Sequence, residues 1–449
     1  MNSPRLLLIC LGWLVACQPV GERTGQQLAQ TYCASCHLYT PPELLPQSIW
    51  QHQILPYMGA RMGMSTQPDT LYREFGMMEA LQIRSAGVYA KEPYMSQAEW
   101  DSLQAFFLQT APKELTIGKR PNFVENQVFR PIFPELPLTN KARTSMVNID
   151  AQKQQLAFAT ADRKYILLDQ QLQRKDFAEL PGIFVHQERQ EDEILLLGVA
   201  PDMSAMYPNQ NPTGALIKVK EERLQQFALV QSQLTRPVSF ASADINQDGQ
   251  DDLVVCQYGN LIGRLSWYEK TADGYDEHII KSVPGALKVI VEDVDADQDP
   301  DLIVQFAQGN EGISIFLNQG QSFREKRLLS LPPIMGSSDF EWIDFDQDGD
   351  KDILLTNGDN GDRSLLLKPY HGLRIYLNDG DYRFAERFFF PMHGASKVKA
   401  ADYDLDGDLD LMLCSFYPDF ENGQEQSILY LQQEAEFEFS ASQFPAAKN

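Results

Sequence analysis

The chain predicts a small all-α domain followed by an all-β propeller of six or seven blades. Through residues 23–113 apolar side chains recur at helical spacing, and the last helix opens on the capping box Ser96-Gln97-Ala98-Glu99. Past about residue 120 the chain changes to short strands and turns, and one acidic loop returns four times. With 449 residues and 43% hydrophobic content, both parts can bury full cores. A net charge of −24 argues against nucleic acid and against electrostatic attraction to anionic lipid.

Residues 1–16 read as an export signal: Arg5 is the positive end, and Leu6 to Val15 is an apolar run too short to span a bilayer. Leu14-Val15-Ala16-Cys17 matches the lipobox of bacterial lipoproteins, so cleavage leaves Cys17 as a lipidated N-terminus, with 17–22 as a tether. The competing reading is an ordinary secretory signal. No second apolar stretch could span a membrane. By resemblance to enteric lipoproteins, Gln18 in place of aspartate implies the outer membrane, facing either the periplasm or the cell surface.

Within the helical domain, Cys33-Ala34-Ser35-Cys36-His37 is a C-x-x-C-H motif, the attachment site of a c-type haem. Thiols three positions apart on one helical turn can each add to a vinyl group of the porphyrin, and the adjacent imidazole then serves as proximal iron ligand. A redox disulfide and half of a zinc site are the alternatives. No second cysteine pair completes a tetrahedron, and the segment lacks the βαβ context of a thioredoxin-like motif.

Helices are expected over 24–37, around Ser48 to Leu55, and from the capping box to Pro112, the last carrying Trp100, Leu103, Phe106, Phe107 and Leu108. That closing helix resembles the terminal helix of small class I cytochromes c. For a sixth iron ligand, Met58 is preferred because Gly59 beside it permits close backbone approach to a ring edge; Met62, Met77 and Met78 compete, and all could equally be packing filler. Met95 reads as a hydrophobic staple and His52 as a solvated helix residue. Of six cysteines, Cys10 leaves with the signal, and Cys256 and Cys414 fall at equivalent points of two repeats, which predicts unpaired thiols.

A linker or first strand occupies 114–138, and the repeats fill 139–449. The acidic loops run Asp244 to Asp252, Asp293 to Asp301, Asp344 to Asp352 and Asp402 to Asp410. Oxygen donors at positions one, three, five and nine are Asp244, Asn246, Asp248 and Asp252; Asp293, Asp295, Asp297 and Asp301; Asp344, Asp346, Asp348 and Asp352; Asp402, Asp404, Asp406 and Asp410. With a backbone carbonyl at seven and glycine at six for the sharp turn, such hard donors suit Ca²⁺. An EF-hand is rejected, because strands such as Leu253-Val254-Val255 and Ile353-Leu354-Leu355 follow at once. Spacings of 49 (244 to 293), 51 (293 to 344) and 58 (344 to 402) residues suit four strands per repeat, hence propeller blades. Asn148-Ile149-Asp150 and Glu193-Ile194-Leu195-Leu196 look like eroded copies of the unit, which makes six blades with room for a seventh, and closure is expected to use a strand from each end.

This arrangement resembles the FG-GAP/VCBS repeat family, seen also in integrin α-chain propellers, and specifically bacterial proteins with an N-terminal cytochrome c domain. The four loops match the family pattern Asp-x-[Asp/Asn]-x-Asp-Gly-x-x-Asp, except that Gln298 replaces glycine in the second. The resemblance implies haem c and Ca²⁺ as cofactors. A metal that pins a turn is the preferred role for the loops over one that bridges a ligand.

A binding face is expected where loops lead into the innermost strands, at Pro237-Val238-Ser239, Pro284-Gly285-Ala286, Gly336-Ser337-Ser338 and Gly394-Ala395-Ser396, beside Asn357 to Asn360, Lys368 to His371 and Tyr417 to Asp419. The function expected is membrane-anchored electron transfer, with the propeller docking a redox partner or surface ligand. Two alternatives are a catalytic propeller, as a haem-dependent dehydrogenase or carbohydrate-active enzyme, and an adhesion module. Catalysis is the weaker reading, since there is no tryptophan-rich quinone-binding repeat, nucleophile motif or persuasive acid/base pair.

Overall fold

A computed structural model describes residues 23–64, 72–73, 75–118, 123–132, 134, 143–190, 192–202, 211–359, 364, 366–419 and 427–444. The signal and lipidation readings, Cys17 included, fall outside the described residues.

Helix α1 (Gly25–Tyr32) opens on a capping box in which Thr24 Oγ1 accepts from Gln27 N and the Gln27 side chain accepts from Thr24 N. It crosses α5 (Gln97–Thr110) so closely that a Cβ on Gly25 would lie 2.3 Å from the Ser102 carbonyl oxygen. Arg23 pairs with Glu99 at 2.5 Å beside the crossing, and Leu28, Ala29, Leu103 and Phe107 are buried within it. The expected Ser96–Glu99 capping box forms, with Met95 buried ahead of it.

Between these helices the chain forms α2 (Gln47–Ile49), a π turn (Trp50–Ile54) and α3 (Leu55–Arg61). Leu55 N–H reaches back to Trp50 O just before Pro56, which has no N–H to donate, so the ladder shifts register where it would otherwise break. Trp50 packs against Phe107 with ring centroids 4.4 Å apart and planes tilted by 51°. A fourth helix, α4, runs Met77–Ser85.

The repeats build a six-bladed β-propeller. Six sheets, each with four antiparallel strands in chain order, span 144–179, 183–234, 237–281, 286–330, 337–391 and 395–443. Strands alternate side chains to the two faces of each blade, so every blade can share an apolar core with each neighbour. Such cores lie between blades 1 and 2, 2 and 3, 3 and 4, 4 and 5, and 5 and 6. The first strands of successive blades contact one another and line the axis.

Polar clips reinforce these joints along the axis. Glu188 of blade 2 accepts from Ser242 N of blade 3 at 3.0 Å, and Glu341 of blade 5 accepts from Ala400 N of blade 6 at 2.7 Å. Lys288 of blade 4 donates to Asp339 Oδ1 at 2.9 Å and to Phe340 O of blade 5 at 2.6 Å. Burial holds the Glu188 carboxyl above its ordinary range and pushes the neighbouring His186 down to about 4.

Closure uses both ends of the chain, with the N-terminal strand added as a fifth. Val124–Glu125 pairs parallel with the outermost strand Glu438–Gln443, Asn126 N donates to Gln443 O at 2.8 Å, and Asn126 Nδ2 donates to Ser442 Oγ at 2.8 Å. Phe129 then seats its ring against Tyr430 at 5.0 Å and Tyr403 at 5.9 Å. The Phe129→Ala variant is expected to lose about 2–3 kcal/mol of stability, read as a lower denaturant midpoint; an unchanged midpoint removes this segment from the closure.

Candidate functional site

Three groups of residues carry chemistry, and the winding of the blades separates them. In each blade the connection from first to second strand lies at one end of the axis. Connections from second to third strand, and from one blade to the next, lie at the other. The acidic loops therefore share one face, and the loops leading into the innermost strands share the opposite one.

Cys33 ends α1 in a single 3₁₀ turn, Cys33–Ser35, with Cys36 and His37 just beyond. Both thiols are unpaired; Cys33 is half-buried, and burial followed by the neighbouring Cys36 raises it to about 11. His37 Nδ1–H donates to Leu38 O at 2.9 Å, which leaves Nε2 with the free lone pair. Among the described residues, the acidic side chains that converge within 4.8 Å are three aspartate triads, and Cys33, Cys36 and His37 form no such group.

Beside this turn lies a wall of partly covered apolar side chains: Tyr32, Tyr39, Leu44, Ile54, Met58 and Met64, packed on the buried core of Trp50, Met62 and Phe107. Half-buried Met58 thus shares a cluster with Cys33, as does Met64, which the sequence reading did not single out. Met62 is buried, whereas Met77 and Met78, at the start of α4, are 79% and 63% exposed and lie outside the cluster. The reason offered for Met58 does not hold: a Cβ on Gly59 would lie 2.8 Å from Trp100 Cζ2, so the ring edge Gly59 accommodates belongs to the protein.

On the acidic face, Asp293-Asp295-Asp297, Asp344-Asp346-Asp348 and Asp402-Asp404-Asp406 each bring their oxygens within 4.8 Å of one another. In the first loop Asp244 Oδ1 accepts from Asp248 N at 2.9 Å and Oδ2 from Gly249 N at 2.8 Å, the same wrap that Asp293 and Asp402 make. Burial, then adjacent aspartates, raises Asp295, Asp346 and Asp404 above the ordinary carboxylate range.

Gln298 takes φ +75°, close to Gly249 at +86°, and its N–H reaches Asp293 Oδ2 at 2.9 Å, so the second loop keeps the turn that glycine makes elsewhere. Position four is left-handed as well, at Gln247, Ala296, Gln347 and Leu405, which no glycine announces.

Position nine has partners of its own. Asp252, Asp301, Asp352 and Asp410 are fully buried. Their oxygens clamp the loop to the third strand. Asp352 accepts from Asn378 N at 2.9 Å and Phe345 N at 2.8 Å, Asp301 from Asn318 N at 2.7 Å and Val294 N at 3.1 Å, and Asp252 from Lys270 N at 2.7 Å and Trp267 Nε1 at 2.9 Å. Asp410 accepts from Gln433 N at 2.9 Å and Tyr430 Oη at 2.6 Å. Spacing shows a fourth oxygen near the metal but not the donors arriving from a strand some twenty residues on.

The opposite face holds a cavity of about 280 Å³ at the axis, lined from four blades by residues that include Val238, Leu287, Ser337, Ser338, Gly394 and Ser396. These are the loops expected to form the binding face, and Gly358, Asp359 and Tyr417 join them. Tyr370 and His371 do not. Tyr370 Oη donates to Leu44 O at 3.1 Å and, with Ile334, docks the helical domain on this face, while His371 is buried, its imidazole pushed down to about 2 by burial and nearby cations.

Residues 244–304 and 293–355 match the FG-GAP-like repeat family. Two FG-GAP-like repeats therefore lie within residues 244–355. Among curated proteins nothing matches it. Similar solved structures include crystal structures of proteins assigned as 6-phosphogluconolactonases from Bacteroides uniformis ATCC 8492 and Bacteroides fragilis NCTC 9343. The first is 8% identical, covering 66% of this chain and 83% of that one with a TM-score of 0.43. The second is 10% identical, covering 66% and 82% with a TM-score of 0.43.

The FG-GAP loops separate two roles that mutagenesis can tell apart. Asp352→Ala is expected to cost about 3 kcal/mol or more with or without calcium, because two buried N–H groups lose their acceptor. Asp346→Asn is expected to stay within about 0.5 kcal/mol of the parent in EDTA and to lose part of the calcium response. Equal responses of the two variants would refute the division. Gln298→Gly should gain about 0.5–1 kcal/mol by relieving a left-handed side chain, read from the denaturant midpoint in EDTA.

Proposed function

We propose that this protein is a haem-bearing electron carrier of the bacterial envelope, its propeller serving as a calcium-pinned docking module. The observation that carries the reading is the His37 ring: Nδ1 is committed to Leu38 O, so Nε2 is left to ligate iron next to two unpaired thiols on the same turn. Cys33 and Cys36 would tether the porphyrin, and the partly covered apolar wall would receive its flat face. When bound, haem supplies one-electron redox chemistry. Met58 remains the preferred sixth ligand, with Met64 as its neighbour in the same cluster, and a thioether there raises the reduction potential relative to a second imidazole.

The repeats support docking because their loops give structural metal sites on one face and leave the axial face for recognition. Calcium bound by the triads would offset the crowded carboxylates and stiffen the first hairpin of each of the last three blades. Lipidation at Cys17 would hold the assembly at the outer membrane, where its partner is a redox protein or a surface ligand.

A pyridine haemochrome spectrum and the intact mass of protein from a maturation-competent host test the central step. One covalent haem is expected, lost in Cys36→Ser; a colourless product without the added mass overturns the reading. Met58→Leu should lower the midpoint potential while haem stays attached.

EDTA should lower the melting temperature, since a site filled at a hundred times its dissociation constant contributes about 2.7 kcal/mol. The sign with pH follows from the raised Asp295, Asp346 and Asp404: carboxyls raised on folding make the metal-free protein less stable as pH climbs through their range, and calcium needs them ionised. The gain in melting temperature from calcium is therefore expected to be larger at about pH 7.5 than at about pH 5. A gain that does not change with pH counts against carboxylate ligation.

A further inference from the structure

The position just past the second strand is occupied by Tyr258 in blade 3, Ala307 in blade 4, Gly358 in blade 5 and Phe416 in blade 6. Two aromatic residues thus stand on blades that flank two carrying small ones. Tyr258, Gly358 and Phe416 line the axial cavity of about 280 Å³, so aromatic and small residues share its wall. Gly358 cannot fill the cavity: a Cβ there would lie 2.2 Å from Ala395 N. Phe416 is 69% exposed, and its ring stands at 81° to that of Tyr417, 4.7 Å away between centroids, an angled apolar platform that folding alone leaves uncovered.

The polar lining is committed in one direction. Ser337 Oγ donates to Glu311 Oε1 at 2.7 Å, Ser338 Oγ to Ala395 O at 2.7 Å, and Ser396 Oγ to Cys414 O at 3.1 Å. Ser338 and Ser396 have thus spent their protons inside the protein and keep acceptor capacity for a ligand, whereas Ser337 is buried and also accepts from Asn357 Nδ2 at 3.1 Å. Arg236, whose guanidinium lies 5.2 Å from the Tyr258 ring centre and donates from Nη1 to Gly259 O at 3.5 Å, is the cationic donor of the set, and Asp359 is the acidic side chain of the lining. A fitting ligand therefore brings several hydroxyl donors and an apolar face to stack. One positive and one negative side chain leave no net charge to select an ion, and the chain's −24 disfavours an anion at long range.

We propose that the axial cavity binds a neutral sugar ring, as a single unit or the end of a glycan. This inference rests on reading the axial face as the docking end of the propeller, and it deepens that reading by naming the ligand class. The volume sits just below the roughly 300–1,000 Å³ of drug-sized pockets, a size for one or two saturated six-membered rings. Stacking on an aromatic platform supplies affinity, and the inward-committed hydroxyls supply selectivity for a polyol over an aromatic acid.

The test is calorimetric titration of the intact protein with cellotetraose, xylotetraose, maltotetraose and chitotriose, with benzoate and glucuronate as controls. Binding of at least one neutral sugar, at least tenfold weaker in Phe416→Ala and retained in Phe416→Trp, is expected. No binding by any of the four, binding indifferent to Phe416→Ala, or tighter binding of benzoate or glucuronate overturns the proposal. Heat of sugar binding does not depend on the haem, so a colourless protein that binds sugar defeats the electron-carrier reading alone. A red protein that binds none defeats this one alone.

Discussion

The propeller depends on the buried aspartate that ends each acidic loop. A carboxylate with no solvent access is costly unless every lone pair in reach finds a donor, and here two donors arrive on each, one of them a backbone N–H of the third strand or the residue after it. The clamp ties the acidic loop itself to the third strand, in addition to the ladder that already joins the second strand to the third. Desolvation still holds Asp252, Asp301 and Asp352 above their ordinary range, so the hydrogen bonds only partly offset burial. What the clamp contributes is register: it sets where the loop stops and the second strand begins.

The convergence of the loop carboxylates is a consequence of that clamp. Once position nine is fixed from beneath, the short loop has to fold its remaining carboxylates over the top, and the first aspartate organises them by accepting from the N–H groups at positions five and six. The triads then point at one another, which is unfavourable without a cation and is relieved by one. In blades 1 and 2 the long acidic loop is missing, and ion pairs carry load instead. Arg189 bridges Asp150 at 2.6 Å and Glu221 at 2.8 Å, and Lys153 reaches Glu221 at 3.0 Å, joining the two blades without a metal.

Much of this was legible in the residues. Period-two strands, the recurring Asp-x-Asp-x-Asp-Gly pattern and the near-constant interval fix blades because each feature is local. The eroded units at Asn148-Ile149-Asp150 and Glu193 to Leu196 proved to be full blades. Hidden from a linear reading was everything set by distant partners: the second role of position nine, the docking of Tyr370 on Leu44, and the claim of Trp100 on Gly59. The Thr24–Gln27 capping box was legible and overlooked, its T-x-x-Q spacing being the same signal that exposed Ser96–Glu99.

The same topology explains why the helical domain and the axial cavity share a face. Loops of the acidic face are short, and each is spent on its own wrap, so nothing there projects far enough to hold a second domain. Connections between second and third strands carry no such duty and can lengthen: the one in blade 5 runs from Asn357 to Gly372 and supplies both Asp359 at the cavity and Tyr370 at the helical domain. Arg374 ties the two ends of that loop together, donating from Nη1 to Asn357 Oδ1 at 3.0 Å and to Tyr370 O at 2.8 Å. A single braced loop thus touches the axial opening and the domain that bears Cys33, Cys36 and His37.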